Sequence, residues 1–250
     1  MSGTVHVERI GAHIALLEID NPPMNPLGLE MRAAFMAALD QVEADETVRA
    51  IVVTGAGRAF CSGDDLKDAR PEGEDLAGWG QLFDRLDGVR APVIAAVNGW
   101  CLGGGFELSL CCDIRIASTE ARFVCAGVNV GLMASAWRLP RLIGVSRAKS
   151  MLLTGLPQDA ETAERFGLVT AVHPPQDLRA AAVALAERIA SRAPLSVEAT
   201  KRIAGRATDL SPEAAAPLQA RELDRLRRTN DHKAAVKAFR EKTEPVFTRS

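Results

Sequence analysis

Residues Pro92 to Ile116 read PVIAAVNGWCLGGGFELSLCCDIRI, and the rest of the chain is arranged around them. Val93 to Val97 is an unbroken apolar run with the length and composition of a buried strand. Asn98-Gly99 makes a turn, three glycines follow at Gly103, Gly104 and Gly105, and Phe106 to Cys112 is a nearly all-apolar segment suited to a buried helix. One charge interrupts it, Glu107. A strand, a glycine turn that bares backbone N–H groups and a helix N-terminus together suit an oxygen that gains negative charge during a reaction. A carboxylate one turn into that helix faces the same place. The plainer alternative is that the glycines only permit close packing and that Glu107 favours the helix dipole. Burial weighs against it, because a lone acid in an apolar helix is costly unless it is paired or used.

Upstream, Val5 to Arg9 alternates, Gly11-Ala12 turns and Ile14 to Ile19 is a second strand, so the chain opens as a hairpin. His6 and His13 fall in these strands without a recognisable partner and read as ordinary strand residues. Asn25-Pro26 has the form of an N-cap followed by proline at the first helical position. Met31, Ala34, Phe35, Ala38, Leu39 and Val42 then recur at helical spacing. Val48 to Thr54 is the next strand, closed by Gly55-Ala56-Gly57, and the loop RAFCSGDDLKD runs from Arg58 to Asp68. Pro71 to Gly80 is polar and glycine-containing and reads as a mobile loop, after which Leu82, Phe83, Leu86 and Val89 fit a helix leading into the central strand. From Leu178 onward the pattern is helical, punctuated at Ala193-Pro194 and Ser211-Pro212.

With 250 residues, 47% apolar and 25% charged, the chain has the make-up of a soluble globular protein. A net charge of −2 provides no basic field to recruit nucleic acid. The first residues form neither a signal nor a transit peptide and no apolar stretch has the length to cross a membrane, so the expected location is cytoplasmic. Cys61, Cys101, Cys111, Cys112 and Cys125 are odd in number and lack CxxC spacing, which suits reduced core thiols. No HExxH, GxGxxG or GxxxxGK[ST] pattern occurs, and no metal site is expected. Ser62 lacks the GxSxG context of a hydrolase nucleophile, and Cys61 has no evident base.

The stretch VIAAVNGWCLGGGFELSLCCDIRIAS resembles the signature of the enoyl-CoA hydratase/isomerase (crotonase) family, and the resemblance spans nearly the whole chain. It implies an α/β fold: a superhelix of ββα units over residues 1–190 carrying an acyl-CoA site, then a helical C-terminal oligomerisation subdomain over 191–250. The implied assembly is a homotrimer or a dimer of trimers. The implied substrate is an acyl-CoA thioester, so that coenzyme A enters with the substrate and no separate cofactor is needed. In the family's counterpart of Arg58–Asp68, the residue after the glycine gives its backbone N–H to the thioester oxygen. Carried over, that residue is Asp64, following Gly63, and the second donor is the N–H of Gly104. Met24, Arg58, Ser62, Leu66, Lys67 and Gly103 join them in the implied substrate-binding set. Lys242, in the closing segment DHKAAVKAFREKTEPVF, is a candidate for contacting coenzyme A from a neighbouring subunit, or else a solvated helix charge.

The sequence departs from the family pattern at two places. Asp64 stands where the family commonly has alanine, and a carboxylate beside a developing enolate repels it, so its side chain is expected to turn away. The family's hydratases also use a second glutamate in the loop after Ile116. Matching Phe123 and Gly131 puts Gly127 in its place, and the loop is shortened to Met133-Ala134-Ser135-Ala136-Trp137 before the family-like Leu139–Gly144 segment resumes. Ser135, Trp137 and Arg138 would reshape the acyl pocket, the ordinary role of Trp137 being core packing. The expected activity is hydration of a 2-enoyl-CoA through Glu107, with Asp64 or Asp65 as a recruited acid. Isomerisation, thioester hydrolysis, decarboxylation or low-turnover acyl-CoA binding are the alternatives left open by Gly127.

Overall fold

The structure is a computed structural model and describes residues 3–65 and 75–250. Strands β1 (Thr4–Ile10) and β2 (Ile14–Asp20) form the expected hairpin. β3 (Ala50–Gly55), β5 (Val93–Val97), β7 (Ile114–Ser118) and β10 (Val172–His173) then add in parallel, giving a sheet of order β1-β2-β3-β5-β7-β10. Its two faces are both covered. Residues from α1 (Leu29–Ala44) and α2 (Asp75–Gly88) pack on one face, and α7 (Leu178–Ala190) packs on the other. A parallel sheet buried on both faces needs apolar residues at consecutive positions, which is why β3 and β5 read as continuous runs rather than alternating ones.

A smaller sheet of order β4-β6-β8-β9 stands beside the first, from Ala59–Cys61, Trp100–Leu102, Arg122–Val124 and Gln158–Asp159. β3, β5 and β7 of the large sheet are thus each followed by a short strand of the small one. β3 and β4 lead into α2, and β5 and β6 lead into α3 (Gly103–Leu110). β7 and β8 lead into a 3-10 turn at Ala126–Val130. These are the ββα units that the family resemblance implies. The remaining helices are α4 (Arg138–Ile143), α5 (Val145–Thr154), α6 (Ala160–Phe166), α8 (Pro194–Ala204), α9 (Pro212–Arg227) and α10 (Asn230–Glu241). Pro194 and Pro212 open their helices, where a missing N–H costs nothing. Among the described residues no helix is long and apolar enough to cross a membrane.

Three local expectations need correcting. Asn25 does not cap α1, which starts at Leu29 after Gly28; Asn25 is buried with φ 54° and serves a loop instead. α2 begins at Asp75, so residues 75–80 are helical rather than part of a loop, while 71–74 lie outside the described residues. α3 begins within the glycines, at Gly103, rather than at Phe106.

Candidate active site

Cys61 of β4 pairs with Cys101 of β6, which brings the segments that follow them side by side. Gly63 has φ +88°, and a Cβ there would fall 2.6 Å from the Gly104 nitrogen. Only glycine fits this junction. The peptides that carry the Asp64 and Gly104 N–H groups are therefore neighbours, although they lie far apart in sequence. The loop before α1 holds this arrangement: Ser62 N–H donates to Met24 O at 2.9 Å, and Leu27 N–H donates to Gly63 O at 2.7 Å. Asn25 is the bracket within that loop. Its Nδ2 donates to Ala56 O at 2.9 Å and Ala59 O at 2.7 Å, and its Oδ1 accepts from Asn21 N–H at 2.9 Å.

Trp79 on α2 closes one side of the junction. Its ring would lie 2.8 Å from a Cβ on Gly104, and its Nε1–H donates to Asp64 Oδ1 at 3.3 Å. The Asp64 carboxylate is thus engaged by the indole edge. Trp79 stacks on Phe83 with centroids 5.1 Å apart, and the Arg138 guanidinium lies 5.9 Å from the Phe83 ring. Arg138 Nη1 in turn donates to Glu107 Oε1 at 3.0 Å. Gly104, Trp79, Phe83, Arg138 and Glu107 therefore form a continuous arc around the first turn of α3. Glu107 is 5% exposed, and its Oε2 is buried without a hydrogen-bond partner among the described residues. A buried carboxylate oxygen left in this state is available to a substrate proton or a water.

The turn that contains Gly127 borders the same place: a Cβ on Gly103 would lie 3.9 Å from Ala126 Cβ. Gly127 itself has no room. A Cβ there would fall 2.9 Å from Leu132 O and 3.1 Å from Ala134 N, because Leu132 N–H donates to Gly127 O at 2.8 Å and folds the loop over it. Burial pushes the Cys61 thiol up to about 12, which removes it as a nucleophile near neutral pH. No group of histidine, cysteine or acidic residues able to hold a metal occurs among the described residues.

The other sequence candidates are scattered. Arg58 is exposed just before β4, where its carbonyl accepts from Trp100 N–H at 3.2 Å. Asp65 follows Asp64 and is partly buried, whereas Leu66 and Lys67 lie outside the described residues. Trp137 is 56% exposed, so it is not core packing; it lies under the Arg138 guanidinium at 4.2 Å. It also lines a cleft of about 960 Å³ on the far side of Arg138, between α3, α4 and α8, which includes none of Gly63, Asp64 or Gly104. Lys242 ends α10 with φ 55°. Trp79 and the pairing of Arg138 with Glu107 were not singled out from sequence. Trp79 had a signal, since it extends the helical spacing of Leu82, Phe83 and Leu86 by one turn.

Comparison with known proteins bears on what this arrangement is. A family model described as enoyl-CoA hydratase/isomerase matches residues 9–250. The chain belongs to that family. Among its curated relatives is the (E)-benzylidenesuccinyl-CoA hydratase of Thauera aromatica, 39% identical, covering 95% of this chain and 96% of that protein. Another is the short-chain-enoyl-CoA hydratase of Clostridium acetobutylicum, 34% identical over 92% of each chain. Among solved structures, the enoyl-CoA hydratase of Bacillus anthracis superposes with a TM-score of 0.95 at 30% identity, covering 99% of this chain and all of that one. Membership of the enoyl-CoA hydratase/isomerase family accounts for the α/β architecture. It leaves the reaction to be argued from the residues at the glycine junction.

Proposed function

We propose that the protein is an acyl-CoA-processing lyase that adds water to a 2-enoyl-CoA. In this scheme the thioester carbonyl accepts from the N–H groups of Asp64 and Gly104, and Glu107 handles the protons. The observation that carries it is the free Oε2 of Glu107, buried one helical turn beyond the Gly63–Gly104 junction. Glu107 Oε2 takes a proton from water as the water oxygen bonds to the β carbon. The π electrons move to the thioester oxygen, and the resulting enolate then takes the proton from Oε2 at the α carbon. Each N–H donor aimed at that oxygen contributes roughly 3–4 kcal/mol to the barrier reduction. One carboxylate suffices for both transfers if water and α carbon are presented to it in turn.

Met24, Ser62, Gly63 and Gly103 would surround the thioester, with Arg58 and Trp137 toward its two ends, while the further candidates Leu66 and Lys67 lie outside the described residues. Gly127, in the turn that borders the site, would supply no acid and would leave the water to Glu107. Residues 191–250 would serve as the oligomerisation subdomain of a cytoplasmic homotrimer or dimer of trimers. The 86% exposed Phe239 and the exposed Val236 and Val246 support that role, with Lys242 reaching coenzyme A of a neighbouring subunit. The named substrates of the relatives suggest starting with short 2-enoyl-CoA and aryl-substituted thioesters.

A second reading is favoured by the same oxygen. A single carboxylate with one free oxygen can also move a proton between the α and γ carbons and so shift a double bond. Product analysis separates the two. With a short 2-enoyl-CoA the expected product is the 3-hydroxyacyl-CoA. Conversion of a 3-enoyl-CoA to the conjugated isomer without hydration would establish the isomerase instead. Release of free coenzyme A or carbon dioxide would point to hydrolysis or decarboxylation, and binding without product to an acyl-CoA-binding protein.

A further inference from the structure

We propose that Arg138 is a positioning residue for Glu107: it pins one carboxylate oxygen so that the other performs both proton transfers. This rests on the hydration reading above. Arg138 Nη1 donates to Oε1 at 3.0 Å, while Oε2 has no partner among the described residues, so the two oxygens of one carboxylate are made unequivalent. The guanidinium is itself held on several sides. It lies 4.2 Å from the Trp137 ring and 5.9 Å from Phe83, and its Nη2 is 3.8 Å from Asp87 Oδ2 on α2. An arginine so restrained fixes the place of Oε1 and compensates the charge of the carboxylate.

The need for such a device follows from Gly127. Where two carboxylates share a water, each limits where the water sits. Here the folded-back loop leaves no room for a side chain at 127, so orientation depends on Glu107 alone. The same loop ends at Trp137 and delivers Arg138, at the start of α4, to Glu107.

The test compares native protein with Glu107→Gln, Arg138→Gln, Arg138→Lys and the double variant Glu107→Gln/Arg138→Gln. Two rates are read: hydration of a short 2-enoyl-CoA, and exchange of the α proton of butyryl-CoA into deuterium oxide by NMR. Loss of positioning predicts a fall of about 100-fold in kcat for Arg138→Gln with little change in KM, and partial recovery in Arg138→Lys. Because Arg138 acts through Glu107, the double variant should match Glu107→Gln within about twofold. Arg138→Gln at near-native kcat, a change confined to KM, or losses that multiply in the double variant would each overturn the proposal. Should Arg138→Gln fail to fold, the double variant, which leaves no buried charge unpaired, still decides by the same comparison. Native protein that exchanges but does not hydrate would refute the hydration reading, with the exchange rates then deciding the role of Arg138. Inactivity in both assays would refute both.

Discussion

At the scale of single residues, Gly127 and the cysteines make the sharpest predictions. Supplying the missing acid by Gly127→Glu should not create a two-glutamate site, because its Cβ would lie 2.9 Å from Leu132 O. The expected result is no gain in hydration and a loss of about 1–3 kcal/mol in stability by urea unfolding, the usual cost of overpacking. Higher activity at unchanged stability would mean that the loop opens freely. The thiols test burial. From the ordinary value of 9.0, burial raises Cys61, Cys112 and Cys125 to about 12 in the folded chain. A raised value means that the folded state keeps protons that the unfolded state gives up. Stability from these groups is therefore complete below about pH 9 and is lost as pH rises from about 9 toward 12. Unfolding curves across that range should show the decline, and native thiols should resist alkylation at neutral pH until the protein unfolds.

At the scale of elements, the junction between the β4 and β6 loops depends on two residues that make few other claims on the fold. Gly63→Ala would force a side chain into a φ of +88° and to 2.6 Å from the Gly104 nitrogen, so the two loops must part, and activity should fall together with stability by urea unfolding. Asn25→Ala would take the side-chain donor from Ala56 O and leave Ala59 O only the longer bond from Asn98 Nδ2 at 3.2 Å, costing about 1–3 kcal/mol, with a further drop in activity as the loop loosens. These elements also show what the sequence could disclose. The central strand was readable because Val93–Val97 must be apolar on both faces, and the site glycines because consecutive glycines before an apolar helix are rarely idle. Asn25 misled for a physical reason: its local Asn-Pro signal is that of a cap, but two distant carbonyls compete for its amide and win. The start of α2 was hidden because Gly78 and Gly80 stand in its first turns, and glycine is a poor helix former. The partner of Glu107 could not be read at all, since Arg138 is 31 positions away and only the folding of the loop brings it near.

At the scale of the whole molecule, the parallel sheet and its satellite sheet position the candidate site, while the helices after α7 are tied to that body by a few ion pairs, among them those of the buried Glu198. Glu198 on α8 accepts from Arg90 at 3.2 Å and from Arg249 at 3.0 Å, and Lys201 pairs with Asp113 at 2.9 Å. The tail closes the circuit, with Arg49 Nη2 donating to Phe247 O at 2.8 Å. Glu198→Ala removes a shared carboxylate, although Arg90 keeps Val48 O and Asp45 O and Arg249 keeps Glu46; it should cost about 2 kcal/mol, lowering Tm by roughly 4–8 °C for a chain of this size. An unchanged Tm would show that the helical part is held by its other contacts alone. The account as a whole depends on one acid, and the direct measurement is the rate of hydration of a short 2-enoyl-CoA by native protein and by Glu107→Gln, with thioester affinity measured alongside. The prediction is a loss of at least about 100-fold in kcat with affinity retained. Equal rates in the two proteins would take Glu107 out of the mechanism and contradict the account.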